Sequence, residues 1–417
     1  MEQPTGNVVA FPSATSQDVL TQVLHDGARK MLAKAIEEEV VAYVESRGHV
    51  IDDAGHRLVV RNGHLPERKL QTPLGDIPVK QPRVRDKRPA EEREVFHSSI
   101  LPPYLRKTKS LEELLPWLYL KGVSSGDFSE ALTALLGPEA SGLSASTIMR
   151  MKAGWENEYN NWQSRSLADK RYVYLWADGV YFNIRLEDPG NARQCILVLM
   201  GATAEGKKEL IAVADGYRES ELSWRELLLH ARSRGLTIDP ELATGDGAMG
   251  FWKALAKVFP NTRPQRCWVH KTTNVLNKMP KGIQAKAKAM LHEIWMAPTK
   301  ANALKAFELF CETFRAKYGA AVSCLEADRD ALLAFYDFPA EHWIHLRTSN
   351  PIGSTFATVR LRTNKTKGCG SRIACLTMVF KLAMSAQKRW RALNGTELLA
   401  EVIVGVKFED GIKKVAA

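Results

Sequence analysis

The order of periodicities between Tyr172 and Phe259 constrains the fold more than any other feature of the chain. "YVYLWADGVYF" is a β-run with Asp178 near its centre, and "QCILVLMGATAEGKKELIAVADG" reads as two strands around a Gly-containing turn. "SELSWRELLLHARSRG" carries helical spacing and is closed by Gly235. "PELATGDGAMG" is then a short strand with Asp246 at its end, and "FWKALAKVF" is the next helix. Strand, hairpin, helix, strand, helix is the signature of a mixed α/β core.

Two aspartates stand out within that core. Asp178 follows an apolar strand and precedes Gly179; Asp246 lies between Gly245 and Gly247 at a strand end. Burying one carboxylate costs on the order of several kcal/mol unless it meets a cation or hydrogen-bond donors. Two brought together repel unless a metal neutralises them. Mg²⁺ commonly takes one or two carboxylates, with water and substrate phosphate completing its shell. The pair therefore points to a divalent-ion site for phosphoryl transfer. The competing reading is turn chemistry, because Asp-Gly is a common turn dipeptide.

The distribution of charge points to the substrate. Of 417 residues, 58 are Lys or Arg and 47 are Asp or Glu, a formal charge of +11 that suits a polyanionic partner. Between His342 and Gly395 there is no acid, where 47 acids spread over 417 residues would place about six. The same window holds ten cations, among them Arg347, Arg360, Arg362, Lys365, Lys367 and Arg372. An acid-free basic surface beside a metal site suits a phosphodiester, positioning the backbone without reading bases. Within this window "TSNPIGSTFATVRLRT" reads as a helix start, with Asn350 as N-cap and Pro351 as first helical residue. Gly353 would then be third, where a capping box prefers Glu or Gln and glycine is a poor helix former.

Upstream, 16–47 has apolar residues at helical spacing, ended by Gly48; the stripe reads as core or as an oligomer contact. In 57–86, "RLVVRNGH" carries an Asn-Gly turn signal and "RKLQTPLGDIPVKQPRVR" reads as two short strands. Lys80, Arg83, Arg85, Lys87 and Arg88 make a basic run which, alone, is weak evidence for DNA. Ser110 and Glu113 form a capping box before "LLPWLYLKG", "SSGDFSEALTALLG" is a second helix, and a third opens at Ser144. This order suggests a helix-turn-helix whose third helix presents Ser146, Thr147, Arg150 and Lys152 to the major groove. Its long turn, Gly137 to Leu143, leaves an ordinary helical bundle as the other reading. Residues 281–336 read as helical throughout.

"RCWVHKTTNVLNKMP" places Cys267 and His270 two residues apart. Two ligands cannot close a structural zinc site. A polar contact supporting the strand before the helical segment, or DNA contact by His270 and Lys271, fits better. The six cysteines form no CxxC, so neither a disulfide framework nor a zinc ribbon is indicated. The N-terminus lacks a basic region followed by an apolar one, and the longest apolar run, "ILVLMGA", is far short of a membrane span. The expectation is a cytoplasmic protein with reduced thiols and no membrane association.

"WADGVYF", "ATGDGAMGFWKAL", "RCWVHKTTNVL" and "TSNPIGSTFATVRLRT", in that order, resemble the Mutator-like family of bacterial insertion-sequence transposases. The likeness extends over nearly the whole chain, including "KSLEELLPWLYLKGVSSGDFSEAL". It implies a ribonuclease H-like mixed-sheet core with a DDE triad, an all-α insertion, and a mainly helical N-terminal DNA-binding region. Asp178 matches the first Asp and Asp246 the second, while Cys267 and His270 match the family's C-x-x-H signature. Where the family carries the triad's Glu, this chain has Gly353.

The implied cofactors are two Mg²⁺ or Mn²⁺ ions. The implied partners are double-stranded DNA, as terminal inverted repeats and as target, and further copies of the chain in a homodimer or higher homo-oligomer. The expected domains are a helical region at 1–56, a β-rich segment at 57–100 and a helix-turn-helix region at 101–168. The core follows at 169–280 and 341–395, around the insertion at 281–340 and before a tail at 396–417. The function implied is cleavage of element ends and strand transfer, impaired in this copy by Gly353. A DNA-end-binding protein or repressor without catalysis, and a nuclease of the same fold that lacks the joining step, are the alternatives.

Overall fold

The computed structural model describes residues 19–103, 105–108, 145–185, 193–216, 218–247, 249–353, 356, 359 and 369–414, with backbone only for 19–21, 145–152 and 249. The helices expected between 109 and 144 lie outside the described residues. The chain divides into two compact units, Met1–Met151 and Lys152–Ala417.

In the first unit a long helix, α1 (Val19–Ser46), precedes four short strands: β1 (Val59–His64), β2 (Arg68–Thr72), β3 (Gly75–Val79) and β4 (Pro82–Asp86). β2 and β3 form a hairpin closed at the Thr72–Gly75 pair. The Asn62-Gly63 signal is not a hairpin turn. β1 runs through it to pair with β4, and the register shifts between Arg61 and His64 while Gly63 takes φ +65°. The left-handed residue is used for a bulge, because the partner of β1 is the distant β4 and not the next strand. Ile36 of α1 packs with Leu70, Ile77, Val79 and Leu101 in a small core, whereas Val23, Leu24 and Met31 are exposed.

The second unit is built on a five-stranded mixed sheet. Helix α2 (Ala145–Gln163) enters it, followed by β5 (Tyr172–Asn183), β6 (Arg193–Thr203), β7 (Lys208–Gly216), α3 (Glu221–Ser233), β8 (Leu242–Gly245), α4 (Met249–Val258) and β9 (Arg263–Arg266). The order is β7-β6-β5-β8-β9, with β5, β6 and β7 antiparallel and β5, β8 and β9 parallel. The parallel step from β5 to β8 requires a crossover, and α3 supplies it.

Side chains alternate across this sheet. Leu175, Ala177 and Ala243 join a core with Trp224 and Leu228 of α3 and Phe251 and Leu255 of α4. Their neighbours Tyr174, Trp176 and Thr244 are fully buried and hydrogen-bond His342 Nδ1, the His345 carbonyl and the Leu346 carbonyl. The segment 342–346 therefore covers the second face. The C-terminal half of α2 is also core: Trp155 and Tyr159 are buried, and the Tyr159 hydroxyl donates to the Val213 carbonyl at 2.7 Å.

After β9 come α5 (Trp268–Leu276), α6 (Lys281–Met296) and α7 (Lys300–Glu326), the last kinked at Tyr318. Short helical turns follow to Leu346, a helix opens at Asn350, and α8 (Arg372–Gln387) packs on β7. Among the described residues no helix is long and apolar enough to cross a membrane.

Candidate active site

Asp178 and Asp246 stand together because of the strand register. β5 and β8 are parallel neighbours with Ala177 opposite Gly245, so each aspartate follows one member of that pair. Alternation puts both on the face of Trp176 and Thr244, the face crossed by the 342–346 segment. Asp178 is buried. Asp246 is half-buried, and its Oδ1 accepts the Gly247 N–H at 2.5 Å. Its backbone carbonyl accepts the Trp252 indole N–H at 2.8 Å, tying the end of β8 to α4.

The chain leaving segment 342–346 is delivered to the same place. The Trp268 N–H donates to the Arg347 carbonyl at 3.0 Å. Two residues on, the Ser349 N–H and hydroxyl both donate to Cys267 Sγ, at 3.2 and 3.3 Å. The Ser349 hydroxyl also lies 3.3 Å from His270 Nδ1. The helix then begins one residue before its expected start. The Ser349 carbonyl accepts the N–H groups of Ile352 and Gly353, at 3.0 and 3.1 Å, and Asn350 is already helical and exposed. Ser349 outcompetes Asn350 as the cap because Cys267 and His270 fix it in place. Gly353 stays in the first turn, and a Cβ built on it meets nothing within 4 Å.

Cys267 and His270 form a polarised pair at this junction. Hydrogen bonding to Cys267 raises the His270 pKa to about 9 against the opposing effect of burial, helped by the charges of Cys267, Asp246 and Asp178. Burial alone would raise the Cys267 thiol, but hydrogen bonds with His270 and Ser349 hold it below its usual value. The charges of Asp246 and Asp178 thus favour the protonated form of this imidazole, after its hydrogen bond with Cys267.

A third carboxylate was missed in the sequence. Glu219, in the connection from β7 to α3, lies so close to β5 that a Cβ on Gly179 would stand 2.6 Å from its side chain. Its backbone carbonyl leaves equally little room over Gly250 at the start of α4, where a Cβ would come to 2.3 Å. Burial, then the charges of Asp178 and Asp246, raise its pKa to about 7, with His270 pulling the other way. The preceding Arg218 takes φ 60°, rare for a side chain of that size. The sequence offered only an acid before the N-cap Ser220, a signal that many surface helices carry.

Three residues expected to contact DNA have partners within the protein. Lys271 is buried, paired with Asp328, and donates to the Cys324 carbonyl at 2.8 Å, so its charge anchors α5 to the end of α7. Arg347 donates to the Trp295 carbonyl at 2.7 Å and stacks over the Trp295 ring, which makes it a brace for α6. Arg372 pairs with Asp215 through hydrogen bonds of 2.8 and 2.6 Å, so its charge is matched within the protein. His270 is half-buried, with Nδ1 lying 3.3 Å from the Ser349 hydroxyl. Ser146, Thr147, Arg150 and Lys152 lie on α2, with side chains outside the described residues. Arg360, Arg362, Lys365 and Lys367 are also outside them.

The donor set suits a hard divalent cation, since the carboxylate oxygens of Asp178 and Asp246 are the ligand type that Mg²⁺ and Mn²⁺ prefer. Among the described residues no three His, Cys, Asp or Glu side chains gather closely enough to hold an ion alone.

The chain belongs to the Mutator family of transposases, whose profile matches residues 2–392. It is 53% identical over 290 residues to the transposase for insertion sequence element IST2 of Acidithiobacillus ferrooxidans, covering 68% of this chain and 95% of that one. It is 51% identical over 301 residues to the transposase for insertion sequence element IS6120 of Mycolicibacterium smegmatis, covering 72% of this chain and 92% of the relative. A more distant relative, the transposase for insertion sequence element ISRM5 of Rhizobium meliloti, is 25% identical over 92% of this chain and 93% of its own length.

Proposed function

We propose that the second unit is a ribonuclease H-like catalytic core and that the chain acts on the ends of an insertion sequence. It binds terminal inverted repeats as double-stranded DNA through its N-terminal region, in a homodimer or larger assembly. The observation that supports this reading is the parallel register of β5 and β8, with Ala177 opposite Gly245, so that Asp178 in mid-β5 and Asp246 just past β8 follow neighbouring residues. When bound, Mg²⁺ or Mn²⁺ would supply the Lewis acidity that activates water and stabilises the leaving oxygen. Asp178 and Asp246 would hold it. His270 balances the negative charge of the pair, Ser349 fixes the helix that carries position 353, and Glu219 borders the site from the β7–α3 side.

With Gly353 the site has two of the three carboxylates that the family resemblance implies. The chain as written is therefore a DNA-end-binding transposase with impaired cleavage. That same glycine favours a second reading, a binding protein that occupies ends and poisons assemblies of intact copies.

The test is metal-dependent nicking of element-end DNA. Gly353→Glu should nick and join ends, and Asp178→Asn or Asp246→Asn in that background should abolish both while leaving end binding. Nicking that survives both aspartate substitutions would refute the site. Nicking without any joined product would favour a nuclease.

A further inference from the structure

The basic run at the end of the β-rich segment has no part in the candidate active site, yet the structure gives it a definite form. β4 alternates, with Arg83 and Arg85 exposed while Pro82 is buried and Val84 and Asp86 are half-buried. Beside β4 lies a groove of about 340 Å³, lined by Arg83, Arg85, Arg93, Leu65 and Val95 among others. Its two acids are already engaged. Asp86 is paired with Arg88 at 2.7 Å, and Glu94 with Arg47 at 2.6 Å. Nearby Arg61 and Lys80 also have acidic partners, Glu37 and Glu67. Among the described residues Arg83 and Arg85 have none.

We propose that the outer face of β4 and this groove seat the sugar–phosphate backbone of double-stranded DNA, with Arg83 and Arg85 on phosphates. Residues two apart on a strand are separated by roughly 6.6 Å, a spacing comparable to that of neighbouring phosphates along one DNA strand. Guanidinium groups bind phosphate oxygens in a planar fork, and their weak hydration lowers the cost of desolvation. The apolar lining from Leu65 and Val95 suits the deoxyribose edge. Unpaired like charges on one small face repel one another, and a polyanion relieves this where the local acids cannot. The bulge at Gly63 increases the twist of the β1–β4 ribbon, a shape that can follow a groove.

This inference rests on the reading of the chain as a DNA-end-binding transposase, and the experiment separates the two. Full-length protein is titrated with a duplex of element-end sequence and with an unrelated duplex of equal length, across about 50–200 mM salt. Arg83→Ala/Arg85→Ala should weaken binding to both duplexes by the same factor. It should also lower the slope of log affinity against log salt by about 1 for each arginine removed. Arg83→Lys/Arg85→Lys should keep most of the slope, because a point charge still meets a phosphate. Both positions are exposed, so thermal melting should be unchanged in each variant.

If the wild-type chain binds neither duplex, the transposase reading fails first. If it binds and the Ala variant matches it in affinity and slope, the β4 seat is refuted. Selective loss of the element-end duplex would mean base reading, and would overturn a backbone seat.

Discussion

Glu219 rests against Gly179 with no space for a methyl group between them: a Cβ on the glycine would fall 2.6 Å from the Glu219 Cγ, Cδ and Oε1. The same residue's carbonyl presses on Gly250, where a Cβ would lie 2.3 Å from it and 2.7 Å from the Glu221 nitrogen. The two contacts have different consequences, because one is with a flexible side chain and the other with backbone. Gly250→Ala should destabilise the protein by about 1–3 kcal/mol, the usual range for overpacking. Gly179→Ala should cost less than about 1 kcal/mol while displacing the Glu219 carboxylate. Urea midpoints of both variants check this, and a Gly250→Ala protein as stable as wild type would remove Glu219 from its fixed place.

The pKa of Glu219 predicts a pH dependence whose sign follows from linkage. Its folded value is raised from 4.5 to about 7 by burial and then by Asp178 and Asp246, with His270 opposing. Below the unfolded value both states are protonated and nothing changes. Between the two values only the folded state keeps the proton, so stability falls as pH rises. The loss is complete above the folded value, with a ceiling of about 3 kcal/mol at about 1.4 kcal/mol per unit, reduced by the partial exposure of the side chain. Glu219→Gln cannot ionise. In chelator, its stability relative to wild type should rise between about pH 5 and about pH 8. A constant difference across that range would contradict the buried-carboxylate account.

His270 and Cys267 give a third, spectroscopic prediction. His270 is raised to about 9, first by its hydrogen bond with Cys267 and despite burial. Its contribution to stability is therefore present in full below the usual histidine value, and is lost as pH rises through the folded one. Cys267→Ala removes the largest cause, leaving Asp246 and Asp178 to oppose burial. The ring of His270 should be protonated at about pH 8 in wild type and substantially neutral in the variant, read from its carbon and proton shifts. Identical titration midpoints would show that Cys267 is not what holds the proton.

The parts of the site legible in the sequence are those that strand periodicity decides. Asp178 sits in an uninterrupted apolar strand and Asp246 at the end of another, so their settings were visible before their proximity was. The mixed sheet followed from the same periods. What escaped depends on long-range partners. Lys271 reads as a surface cation until Asp328, far along the chain, buries it. Arg347 reads as part of a basic face until Trp295 covers it. Asn62-Gly63 signals a turn, but only the identity of the partner strand decides between a hairpin and a bulge. Ser349 displaces Asn350 as the cap because Cys267 is there to receive its hydroxyl. Glu219 had no pattern to announce it, because its position comes from two glycines that leave it room.

The last prediction concerns Gly353. It lies in the first turn of its helix, and a Cβ added there meets no atom of the described residues within 4 Å, so Gly353→Glu begins without a clash. Removing a helical glycine should stabilise the protein by about 1 kcal/mol, and an acid near the positive end of the helix adds about 0.3–1 kcal/mol. Members of a catalytic unit do not contribute additively, and loss of one commonly costs on the order of 10³–10⁶ in rate. The chain as written should therefore bind element-end DNA with the same affinity as Gly353→Glu, bind Mn²⁺ more weakly, and show little or no nicking. Calorimetric Mn²⁺ titration and a nicking assay on both forms, side by side, decide the matter. Equal and robust nicking by the glycine form would show that position 353 is not the third ligand. A Gly353→Glu protein that gains Mn²⁺ affinity and still binds ends, but does not cut, would place the defect elsewhere in the chain.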